Sequence, residues 1–179
     1  MTRWAVALLM AMGLGSATAL AADPPANTAA RPATAAPSTD VFLTKTAAGN
    51  LFEIESSKLA LSKTKSEQIR TFANEMVKDH TAAGTKFKQA VSEAKLKAPA
   101  EALAPEQQTT MVDLKAEEGP AFERDYVNQQ YKAHVQTVDM FQAYADNGDN
   151  PRLKQFAREM LPTLKTHLDH ATNLRSSLK

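Results

Sequence analysis

Thr64-KSEQIRTFANEMVKDHTAAGTKFKQAVSE-Ala94 is the stretch that decides the fold. Ile69, Phe72, Met76, Ala83, Phe87 and Ala90 recur at steps of three and four, which predicts one long amphipathic helix. His80 falls in the middle of that stripe, four residues after Met76 and three before Ala83, where a core side chain belongs. Two further segments repeat the pattern. One runs from Pro120 to about Asp146, with Phe122, Tyr126, Val127, Gln130, His134, Val138, Phe141 and Ala145 on one face. The other starts at Asn150 as cap with Pro151 following, and its stripe is Leu153, Phe156, Met160, Leu164, His167, Ala171, Leu174 and Leu178. Pro162 falls inside this last pattern and should kink it.

The first helix begins near Asp40, capped by Thr39 or Asp40. Its core positions read as Val41, Ala48, Leu51, Phe52, Glu55, Leu59 and Ser62, so Glu55 interrupts the buried stripe while Glu53 falls on a more polar side with Ser57. Thr64-Lys65-Ser66-Glu67 fits a capping box with Thr64 as N-cap, and so short a connection makes the first two helices antiparallel neighbours. Residues 96–119 differ in kind: Pro99 and Pro105 break helix, and Pro105-Glu106 opens a short one that ends by Glu118-Gly119. A connection of that length between the second and third long helices is what a ferritin-like topology uses. The expected fold is all-α, a ferritin-like four-helix bundle with a long crossover between helices 2 and 3, over residues 40–179.

Ahead of it, Arg3, the apolar run Ala5 to Leu14 and Ala19-Leu20-Ala21 form a signal-peptide pattern over residues 1–21, too short to be comfortable as a membrane span. Residues 22–39 are rich in Pro, Ala and Thr and read as a disordered linker. The protein is therefore expected outside the cytoplasm, in the periplasm of a cell with two membranes. Lys+Arg 21 against Asp+Glu 20 leaves no basic surplus for nucleic acid. Absence of Cys removes disulfides, thiolate metal sites and cysteine nucleophiles. No mature segment is continuously apolar over a span's length. A homo-oligomer remains open, and no motif points to a protein partner.

Four helices thus carry four polar interruptions of the core pattern: Glu55, His80, His134 and His167. Neutral imidazoles with one carboxylate can bind iron, manganese, zinc or copper, and buried polar side chains need partners or a shared ion. His170, one turn from His167, is less clearly inward. Counting rises of ~1.5 Å per residue from the end that holds the first turn, His80 and His134 lie roughly 20–25 Å down and Glu55 and His167 about 13–15 Å down. Two pairs at two levels are expected rather than one ring. Met76, Met140 and Met160 sit at core spacing and read as packing.

FLTKTAAGNLFEIESSKLAL (42–61), FANEMVKDHT (72–81), YVNQQYKAHVQTVDMF (126–141) and FAREMLPTLKTHL (156–168) together resemble the bacterial domain-of-unknown-function family 4142. The resemblance spans about Asp40 to Leu174. It implies a ferritin-like bundle, usually exported and often labelled an outer membrane protein, with no established activity. Di-iron proteins of that superfamily place Glu three residues before His on two helices. Here those positions are Val77 and Leu164, which argues against a di-iron oxidase centre. Phosphate loops, nucleophile elbows and HExxH spacing are absent. Two readings stay open: metal binding linked to stress protection through the four core residues, or a non-enzymatic envelope-stress or interaction module whose histidines are structural.

Overall fold

The computed structural model describes residues 35–178. The signal-peptide reading and most of the linker reading fall outside them. Five helices account for the described chain: α1 Thr39–Lys63, α2 Glu67–Glu93, α3 Pro105–Ala116, α4 Gly119–Asn147 and α5 Pro151–Ser177. The described residues are all-helical in architecture, and no strand occurs among them. No helix among them is long and apolar enough to cross a membrane.

The four long helices pack in a closed order, α1 against α2, α2 against α5, α5 against α4 and α4 back against α1. Two contacts fix the ends. Glu123, near the start of α4, accepts hydrogen bonds from the Thr64 hydroxyl (2.6 Å) and from the amides of Lys65 (3.0 Å) and Ser66 (3.2 Å), so α4 begins beside the α1–α2 turn. Arg152 pairs with Glu93, so α5 begins where α2 ends. Residues 94–118, including α3, therefore carry the chain from one end of the molecule to the other. Met111 and Leu114 of α3 join the core on the way, and Lys63 holds the end of α3 through the carbonyls of Leu114 (3.3 Å), Lys115 (2.7 Å) and Glu117 (2.6 Å).

The α2 cap is Ser66, not Thr64: the Ser66 hydroxyl accepts from the Ile69 amide at 3.4 Å, and Glu67 turns to Arg70 instead of reaching back. The cause is tertiary: Glu123 arrives from α4 and binds the Thr64 hydroxyl and the Lys65 and Ser66 amides, which ties Thr64 to α4 and leaves Ser66 to cap the helix. Glu123→Ala is expected to cost about 1–2 kcal/mol, the range of a lost N-cap. These hydrogen bonds hold the Glu123 carboxyl below its ordinary range, the Thr64 hydroxyl most of all. Its contribution is thus present at neutral pH and lost as pH falls through the folded-state pKa. Urea midpoints of the variant and parent at pH 7 and pH 3 check both the size and the sign.

α1 departs most from expectation. Val41 and Glu55 are exposed, and the buried face is Phe42, Leu43, Thr46, Ala47, Ala48, Phe52, Glu53, Ser56, Ser57 and Ala60. That face carries so many polar side chains that its apolar periodicity is faint. α5 runs unbroken through Pro162.

The core falls into two apolar clusters. One gathers Phe42, Phe87, Phe141, Tyr144, Leu153 and Phe156 with their neighbours. The other gathers Phe52, Ile69, Phe72, Met76, Phe122 and Tyr126. Each fully buried aromatic or aliphatic side chain contributes about 1.5–3 kcal/mol. Between them in sequence along α2, α4 and α5 lie the buried polar residues His80, Gln130, His134 and His167, and on α1 the buried Glu53 directly follows Phe52 of the second cluster. The polar layer is therefore held at mid-height by apolar packing on both sides.

Candidate metal centre

α2, α4 and α5 each direct one imidazole into this layer. His80, His134 and His167 retain 6%, 1% and 1% of their surface exposed. Their ring centroids stand 5.7 Å (His80–His134), 5.5 Å (His80–His167) and 5.4 Å (His134–His167) apart. One nitrogen from each lies within 4.8 Å of the others. The three rings thus form one cluster, which corrects the two-level expectation. The rise count places His167 about one turn nearer the first turn than His80 and His134, but side chains lean toward the N-terminus of their own helix. α2 and α4 start at the first-turn end, so His80 and His134 lean up. α5 starts at the far end, so His167 leans down, and the rings meet.

The outward nitrogen of each ring is already committed. His134 Nδ1 donates to the Gln130 carbonyl at 2.9 Å, one helical turn back. His167 Nε2 donates to the Asp79 carboxylate at 3.2 Å. His80 Nδ1 lies 3.2 Å from Asn50 Oδ1 and donates to it. With the proton on the outward nitrogen, the inward one carries a lone pair. Those inward atoms, His80 Nε2, His134 Nε2 and His167 Nδ1, are buried and have no hydrogen-bond partner. Three unpaired acceptors facing one another each forgo roughly 1–3 kcal/mol of hydrogen bonding.

Protonation does not relieve this. Burial lowers the pKa of all three histidines: His80 well below the ordinary imidazole value, with His134 and His167 adding repulsion, His134 to about 4, and His167 in the same direction despite the opposing Asp79 hydrogen bond. The cluster is neutral at physiological pH and presents three lone pairs to one point.

Glu55, expected to complete the set, is exposed on the outer face of α1. Glu53 takes the inward position: it is 4% exposed, and its Oε1 lies 3.7 Å from His134 Nδ1. Two residues are roughly 200° around a helix, so a misjudged face exchanges the acids entirely. Burial pushes the Glu53 carboxyl up to about 8 against the weaker effect of a Gln130 hydrogen bond, and Oε2 has no partner. Glu53 stands behind His134, on its committed side. His170 is a surface residue bonded through Nδ1 to Glu75 at 2.9 Å.

The residues that orient the rings from behind, Asn50, Asp79 and the Gln130 carbonyl, were not legible as a set. The nearest signal was the spacing of Asn50, Glu53, Ser56, Ser57 and Ala60, an inward face written in small and polar residues. A cavity of about 50 Å³ adjoins the cluster, bounded by His80, His134, Glu53, Thr46, Met140 and Met160.

Fold and site together define an all-helical domain with three buried, convergent imidazoles. The chain belongs to the family described as Domain of unknown function (DUF4142), whose model matches residues 24–174. No curated protein sequence matches it. Among solved structures it is similar to CopM in the Cu(II)-bound form, with a TM-score of 0.67 and 13% identity, over 80% of this chain and 99% of that one. At that identity the likeness shows the fold alone.

Proposed function

We propose that this protein is an exported, ferritin-like four-helix bundle that binds copper in a centre made by His80, His134 and His167. The observation that carries this reading is the convergence of three buried, unpartnered imidazole nitrogens whose opposite nitrogens are each fixed by an acceptor. Fixing the far nitrogen sets the tautomer and aims the lone pair, which is how metal-binding histidines are prepared. An all-imidazole donor set suits copper and zinc, whereas manganese and iron(II) favour oxygen-rich sites and bind more weakly in the divalent series. The Cu(II)-bound state of CopM, a protein of similar fold, supports copper.

Glu53 acts as the charge balance. A divalent cation on the far side of the His134 ring still favours the ionised carboxylate, so loading expels a proton and leaves less net positive charge in the core. The role that fits is capture and holding of the ion. Arg3, the apolar run that follows and Ala19-Leu20-Ala21 support export, and with it capture outside the cytoplasm, in the periplasm of a cell with two membranes.

Thermal melts of metal-free protein with copper, zinc, iron(II) or manganese(II), alongside elemental analysis, test the reading. At a free ion concentration a hundredfold above Kd, binding stabilises the fold by about 2.7 kcal/mol. That corresponds to a rise in Tm of about 5–11 °C for a domain of this size. Copper should give the largest rise. No rise with either copper or zinc would leave the histidines as a metal-free structural network and overturn the proposal.

A further inference from the structure

One ring of the cluster faces two ways. His167 Nδ1 points, unpartnered, toward His80 and His134, while His167 Nε2 lies 3.2 Å from Asp79 at the seam between α2 and α5. Asp79 is not alone there. Glu75 sits one turn earlier on α2, and its carboxylate bonds His170 Nδ1 at 2.9 Å, one turn later on α5. Ligand atoms of Glu75, Asp79 and His167 all lie within 4.8 Å of one another. Both carboxylates are partly buried, at 31% and 30% side-chain exposure.

Orienting a histidine takes one acceptor. Two carboxylates brought together in a partly buried seam repel, and a cation between them removes that cost. We propose that Glu75, Asp79 and His167 Nε2 form a second, outer cation site, and that the His167 ring is shared between it and the inner centre. This rests on the inner centre being a metal site. Two carboxylates and one imidazole suit a divalent ion of intermediate hardness, zinc or copper(II). The second ion takes the place of the Nε2 proton: the N–H bond breaks, the proton leaves to solvent, and Asp79 exchanges its hydrogen bond for coordination. Neither ion changes oxidation state. His170 lies outside the ligand set and steadies Glu75. The seam opens to solvent, so an ion entering there meets oxygen ligands first and the buried imidazoles second.

Copper(II) titration of the metal-free full chain, read by elemental analysis and electron paramagnetic resonance, tests the assignment. The parent should bind two equivalents, with the resonance of the fully loaded form much weaker than two isolated ions give, because a shared imidazolate couples their spins. The Glu75→Gln/Asp79→Asn variant, isosteric and with an amide oxygen at residue 79 still able to accept from His167 Nε2, should bind one equivalent with an uncoupled signal. His80→Leu should instead weaken the inner site and leave one equivalent at the seam. A parent that saturates at one equivalent, with the double variant unchanged, rejects the outer site and leaves the inner centre standing. Two equivalents with full, uncoupled intensity reject the shared ring. No copper bound at all rejects both centres.

Discussion

His134→Leu loses copper from the inner centre and leaves the metal-free fold as stable as before, or more so. The two halves of this expectation have separate causes. Outer-shell partners of a metal-bound histidine are commonly worth 10–100-fold in affinity, so removing the ligand itself should cost roughly a hundredfold or more, about 2.7 kcal/mol. The copper-dependent rise in Tm should disappear at concentrations that load the parent. Without metal, His134 Nε2 is buried with no partner, and Nδ1 bonds only the Gln130 carbonyl, the i−4 acceptor to which helix geometry already assigns the His134 amide. Leucine of similar volume keeps the packing and removes an imidazole that gains little for its desolvation. Isothermal titration with copper and a metal-free melt, run side by side, separate site from scaffold. A metal-free protein that collapses on this substitution would mean that the ring itself holds α1, α2, α4 and α5 together. His170→Ala, on the surface, should leave the inner centre's affinity intact.

Acid should unfold the metal-free protein well above the pH at which carboxylates alone titrate. His134 has a folded pKa of about 4 against an ordinary value of 6.5. Between those values the unfolded chain takes up a proton that the folded chain refuses. Stability is therefore full above about pH 6.5 and falls as pH drops toward 4. At 1.36 kcal/mol per unit, His134 alone forfeits about 2 kcal/mol between pH 6.5 and 5. His80 and His167 are lowered in the same direction.

Glu53 opposes them. Its folded pKa is about 8 against 4.5, so the folded chain keeps a proton that the unfolded one releases, and stability from this group rises as pH falls from 8 toward 4.5. One acid opposes three histidines that are all lowered, and the three together set the sign. Urea midpoints of the metal-free protein should be lower at pH 5 than at pH 7, and Glu53→Gln, which removes the opposing group, should widen the gap. A midpoint that holds or rises at pH 5 would contradict neutral, buried imidazoles. Copper-loaded protein should resist until protons displace the ion, because a bound metal keeps the rings deprotonated.

The sequence determined the helices and the three inward histidines. Stripes at three- and four-residue steps on α2, α4 and α5 carry enough Phe, Leu, Ile and Met to declare their buried faces, and His80, His134 and His167 sit in register with them. Pro105, Pro120 and Asn150-Pro151 marked helix starts to within a residue, because proline has one tolerated place in a helix and a capping side chain one useful one. What only the tertiary structure decided was rotation, level and partnership. α1 buries Thr46, Glu53, Ser56 and Ser57, a face that no hydrophobic count distinguishes from a solvated one, so Glu53 and Glu55 exchange places once its neighbours pack against it. The rings share one level because antiparallel helices tilt their side chains toward each other, a property of helix direction that residue spacing does not contain. Ser66 caps α2 because Glu123 comes from far along the chain to take the neighbouring amides. Local pattern encodes which face of a helix is apolar; which polar group is buried, and beside what, depends on contacts between segments that only the folded chain brings together.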